Sequence, residues 1–107
     1  MQVHEIQKQI ADLILENQKG TNALFEAERA LAEAEYNLDT VEQKAYIKSQ
    51  GTVADRTALA RLEAAESRLE RDLRRAELNR IKVKIKGIET ALMALGTQVK
   101  LMNVEGR

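Results

Sequence analysis

Cysteine, proline and tryptophan are absent, and aromatic residues make up 3% of the 107 positions. Without cysteine there is neither a disulfide nor a thiolate metal site. Without proline the strongest helix breaker is missing, and with so few aromatics the chain lacks the large side chains that dominate the core of a compact globule. Charge of one sign is also missing: 17 Lys and Arg are balanced by 17 Asp and Glu. That balance argues against a protein built mainly to coat nucleic acid, although a local basic face remains open. No apolar stretch approaches the ~18 residues of a membrane span, and the start, Met1 to Glu5, has no basic segment followed by an apolar run. These features lead us to expect a complete, small, cytoplasmic protein with no membrane segment.

What is abundant is Ala, Leu, Glu, Lys, Arg and Gln, the composition of long helices. The segment Ser49-Gln-Gly-Thr-Val-Ala-Asp-Arg56 reads as a hinge between two such helices. Gly51 suits the positive φ that closes a helix, Thr52 suits an N-cap, and Asp55 stands where a capping box carries its carboxylate. The predicted fold is all-α: an antiparallel helical hairpin of two long coiled-coil-like helices, assembling into a helical bundle. As one domain over 1–107 it has a first arm over about 2–49, a turn at 50–52, a second arm over about 53–102 and a disordered tail over 103–107.

In the first arm, steps of three and four select Val3, Ile6, Ile10, Leu13, Asn17, Gly20, Leu24, Ala27, Leu31, Ala34, Leu38, Val41 and Ala45. This is an unbroken heptad register. The cluster Asn17 to Asn22 is rich in turn formers, so either a kink over 17–22 or a continuous helix is open, and Asn17 could instead fix register. In the second arm the most hydrophobic stripe is Leu59, Leu62, Glu66, Leu69, Leu73 and Ala76, followed one position out of phase by Ile81, Ile85, Ile88, Leu92, Leu95, Val99 and Met102. Reading both as core predicts a stutter near Glu77. Arg80 to Gly87 also alternates basic and apolar residues like a strand, but no partner strand exists and Ile81, Ile85 and Ile88 share a helical face.

With Val3 and Leu59 as position a of their arms, Glu28, Glu35 and Glu42 repeat at e of the first and Glu63, Glu70 and Glu77 at e of the second. Antiparallel packing would set acid against acid on that edge, while small Ala23, Ala30, Ala58 and Ala65 occupy the other. Arg61, Arg68, Arg75 and Lys82 repeat every seven residues; with Arg71, Arg74, Lys84 and Lys86 they form a candidate basic ridge. The ridge reads as a solvated face, as a surface for an acidic partner such as the glutamate edge of another copy, or as a phosphate-binding surface. Intervening acids and the lack of interleaved aromatics count against nucleic acid. Ile14, Leu15, Phe25, Tyr36, Tyr46, Ile47, Leu78 and Val83 fall off the predicted stripes and are candidates for an oligomer interface.

No catalytic motif is present: there is no phosphate-binding glycine loop, no nucleophile with a placed histidine and no Glu-x-x-His. His4, the single histidine, reads as solvated, and no catalytic residue, cofactor or metal is expected. The run Lys44-Ala45-Tyr46 followed by Gly51-Thr52-Val53-Ala54-Asp55-Arg56 resembles small α-helical accessory proteins of the early, replication and recombination regions of tailed bacteriophages. The resemblance extends over most of the chain: acidic first helix, capped turn, Arg-rich second helix, more apolar end. The arginine-bearing close of such proteins is replaced by Leu92-Met93-Ala94-Leu95-Gly96, which argues against a nucleic-acid role. The resemblance implies a non-enzymatic accessory or adaptor protein of the host cytoplasm that self-associates and binds a protein partner in replication, recombination or counter-defence. The alternatives are a nucleic-acid binder using the basic ridge and a structural coiled-coil spacer.

Overall fold

The computed structural model describes residues 2–105, and side chains through 103. The chain is all-α: α1 Val3–Lys48, α2 Val53–Glu63 and α3 Ala65–Glu105. Its contacts separate it into two compact units, Glu26–Asn79 around the turn, and the segment up to Phe25 with the segment from Arg80 on.

The turn forms as its residue types require. Gly51 adopts φ +116°, a conformation that a side chain would strain. The Thr52 hydroxyl accepts from the Asp55 amide at 3.1 Å, and the Asp55 carboxylate accepts from the Thr52 amide at 3.4 Å. That reciprocal pair satisfies two donors at the start of α2. The end of α1 is tied down from across the turn: the Tyr46 carbonyl accepts from Arg56 Nη2 at 3.0 Å and from Ser49 Oγ at 2.8 Å, and the Arg56 guanidinium lies 4.2 Å from the Tyr46 ring centroid.

Within Glu26–Asn79 the two arms run antiparallel, with Glu42 against Arg68 at 2.9 Å and Glu35 against Arg75 at 3.8 Å. The core is a seam of small residues. Ala27, Ala34 and Ala45 of α1 meet the burial of Ala60 in α2 and of Ala64 between the two helices, with Leu38 and Leu78 the only large buried side chains. Ala64 is completely buried; its amide still donates to the Ala60 carbonyl at 3.0 Å and its carbonyl accepts from Arg68 at 2.9 Å, so the backbone ladder passes through the junction of α2 and α3.

In the other unit the first and last segments lie side by side, with Ile6 and Ile88 buried. A Cβ added at Gly20 would stand 3.0 Å from Ile85 Cγ1, so the glycine leaves room for the Ile85 side chain. No kink interrupts α1 over 17–22, where the Thr21 hydroxyl donates back to the Asn17 carbonyl at 3.0 Å. Arg80–Gly87 is helical, not extended. The α3 helix runs to Glu105, through the first three residues of the tail expected to be disordered, and Gly106 and Arg107 lie outside the described residues.

Gly87 is exposed inside α3 and has open space around its Cα. Replacing it with alanine removes a glycine penalty without a clash, so Gly87→Ala is expected to raise unfolding stability by about 1 kcal/mol in urea titration. A loss would mean that this stretch is not helical in the folded chain.

A leucine face turned outward

The first-arm register is realised: from Ile6 to Ala45 every position of the heptad series is buried or half-buried, and only Val3 at the end is exposed. The second arm is rotated from the expected orientation. Its buried and half-buried positions from Ala60 to Leu78 are Ala60, Ala64, Ser67, Arg68, Arg71 and Leu78. Counted along the sequence, Ala60, Ala64, Ser67 and Arg71 continue in threes and fours through the exposed Arg74 to Leu78, Ile81, Ile85, Ile88, Leu92, Leu95, Val99 and Met102, and no stutter is needed. The stripe expected as core is outside. Leu59 is 47% exposed, Leu62 72%, Leu69 60% and Leu73 57%.

The rotation changes which charges meet across the hairpin. With the leucines inward, Glu63 and Glu70 would have flanked Glu42 and Glu35. With the leucines outward, arginines take those places instead, and Arg68 and Glu42 pair with two-thirds of each side chain buried. The acid-against-acid edge is therefore absent from this hairpin.

At 3.6 residues per turn the four leucines share a face with Glu66 and Ala76, on the side of the second arm opposite Ala60 and Ala64. One flank carries Glu63, Glu70 and Glu77, the other Ala58, Ala65 and Asp72. The face itself consists of leucine, alanine and Glu66, and on its flanks Glu70 and Asp72 hold the Arg74 and Arg71 guanidinium groups. It extends roughly 20 Å from Leu59 to Leu73 at the helical rise. Covering four half-exposed leucines is worth roughly 4 kcal/mol, a large share of the 5–15 kcal/mol of a typical domain. The alanine seam on the inner side buries much less apolar surface per residue.

Half of the candidate basic ridge is engaged within the chain. Arg68 and Arg75 hold Glu42 and Glu35, Arg74 Nε donates to Glu70 at 2.7 Å, and Arg71 Nε donates to Asp72 at 2.9 Å. Arg61 is exposed beside the turn, and Lys82, Lys84 and Lys86 are exposed on the later part of α3. Lys84 projects about 200° around the helix from Lys82, so the three lysines do not make one row.

Of the residues read as an oligomer interface, Ile14, Leu15, Phe25, Tyr36, Ile47 and Val83 are exposed, but their heptad positions differ and they form no single stripe. Leu78 is corrected from that set: it is 7% exposed and belongs to the core of the hairpin, because the rotated register brings it inward. Tyr46 is half-buried under Arg56 and serves the turn. Beside it an open groove of about 500 Å³ is lined by Glu42, Gln43, Tyr46, Ile47, Thr57, Ala60 and Arg61. It contains no nucleophile and base pair. Among the described residues no cluster of His, Asp or Glu could hold a metal ion, and no helix is long and apolar enough to cross a membrane.

No protein-family model, curated protein or solved structure matches the chain.

Proposed function

We propose that this chain is a non-enzymatic helical adaptor that works by docking another helix on the outer face of its second arm. The observation that carries this reading is the leucine stripe Leu59, Leu62, Leu69 and Leu73, exposed at heptad spacing on a hairpin whose own seam is mostly alanine. A heptad leucine stripe is the feature by which helices recognise each other, and an uncovered one on so thin a hairpin favours a further helix packing there. An accessory role in replication, recombination or counter-defence, as the phage resemblance implies, fits a protein that acts only through its contacts. The nucleic-acid reading has less support, since Arg68, Arg71, Arg74 and Arg75 already hold carboxylates.

The test is selection from a displayed library of helical peptides on the parent chain, with counter-selection on the chain carrying Leu62→Asp and Leu69→Asp. Enriched peptides are expected to share an apolar residue every three to four positions. Enrichment of no such pattern, together with oligonucleotide binding that falls steeply with salt, would instead support the phosphate-binding alternative.

A further inference from the structure

We infer that the helix received by the leucine face is the second arm of another copy of this chain, packed antiparallel about a two-fold axis between Leu73 and Ala76. The inference rests on the docking reading above and names the occupant. Its basis is a change of charge sign along one outer stripe. Beyond Ala76 the leucine series continues on α3 in the same threes and fours through Arg80, Val83, Gly87 and Thr90, all exposed. The charged residues on this stripe and its flanks are acidic from Glu63 to Glu77 and basic from Arg80 to Lys86. A stripe of that pattern is complementary to itself when one copy is reversed.

In this pair Leu73 meets Ala76 of the second copy, and Leu62 meets its Gly87, which has open space above it. Glu66 packs beside Val83 and Arg80 of the second copy, and Glu63 faces its Lys84 across the flank. Glu63, Glu66 and Lys84 hold no ion pair among the described residues. Arg80 has an interaction within its own chain, and a guanidinium has five N–H donors to share. Nearer the axis, Glu70 approaches Glu77 of the second copy, but it arrives already holding Arg74, as Asp72 holds Arg71. A parallel pair would instead set Glu66 on Glu66 and Arg80 on Arg80, so charge selects the antiparallel arrangement. In dilute solution, with the copies apart, the leucines are exposed as in the single chain.

Sedimentation equilibrium of the full chain over about 1–100 μM is expected to show a reversible dimer. Leu69→Asp is expected to weaken it at least about tenfold with helicity unchanged. Glu63→Lys turns the attraction to Lys84 into repulsion at both ends of the pair and is expected to weaken it at least about threefold, and adding Lys84→Glu to that variant is expected to restore it. Orientation is read with single cysteines in a chain that otherwise has none. Two copies of Ala76→Cys stand beside the axis and are expected to join by a disulfide under mild oxidation. Two copies of Thr90→Cys stand roughly 45 Å apart along the pair and are expected not to. Joining at both positions, or a leucine-dependent dimer indifferent to the charge reversals, would overturn the inference and leave the docking reading standing. A chain that is monomeric throughout that range, or a dimer that Leu69→Asp leaves intact, would also overturn the inference, and the docking reading is then decided separately by the peptide selection described above.

Discussion

Leu78→Ala is expected to destabilise the chain by about 2–4 kcal/mol, the cost of a cavity at a buried leucine, whereas Leu69→Ala and Leu73→Ala are each expected to cost under about 1 kcal/mol. The contrast follows from exposures of 7% for Leu78 against 60% and 57% for Leu69 and Leu73. Urea unfolding of the three variants at low protein concentration reads it directly, as a large shift of midpoint for one and small shifts for two. Were the most hydrophobic stripe of the second arm the core, the order would invert.

The second large effect comes from adding bulk. Ala64 has no exposed surface, at the point where α2 passes into α3. A leucine there has no space to enter, so Ala64→Leu is expected to lose about 1–3 kcal/mol despite the excellent helix propensity of leucine. On an outward-facing position the same substitution would be neutral. Stabilisation or no change in the thermal midpoint would therefore place Ala64 outside the seam. The two substitutions probe the same rotation from opposite sides, one by removing volume and one by adding it.

Much of the fold is legible in the residues because short-range chemistry decides it. Gly51, Thr52 and Asp55 define the turn through a positive φ and a reciprocal cap, both local devices. The α1 register from Ile6 to Ala45 follows from periodicity, and even Asn17 and Gly20 remain within a continuous helix. Gly20 lies against the Ile85 side chain, a long-range contact that the composition around it does not reveal.

The rotation of the second arm was less legible, because the usual inference that the most hydrophobic stripe faces inward treats each helix separately. Leu59, Leu62, Leu69 and Leu73 outweigh Ala60, Ala64 and Ser67 on any hydrophobicity count, yet they face away from α1. Two signals in the sequence bear on the choice. The leucine stripe requires a stutter to join Ile81 and its successors, whereas the alanine series does not. It also sets glutamate opposite glutamate at the arm edges, whereas the alanine series sets Arg68 and Arg75 opposite Glu42 and Glu35. The candidate site was missed for the same reason: its residues read as core.

The orientation of the leucine face is the claim on which the proposed function depends, and the absence of cysteine makes it open to a direct measurement. Single cysteines in place of Leu69 and of Leu78 are the only thiols in their respective chains, and their alkylation rates under native conditions report exposure position by position. The account predicts that the thiol of Leu69→Cys reacts within a few-fold of its rate in the unfolded chain, while that of Leu78→Cys is at least about a hundredfold slower, since it waits on opening of the hairpin. Rapid labelling at position 78 with protection at position 69 in a monomeric chain would contradict it.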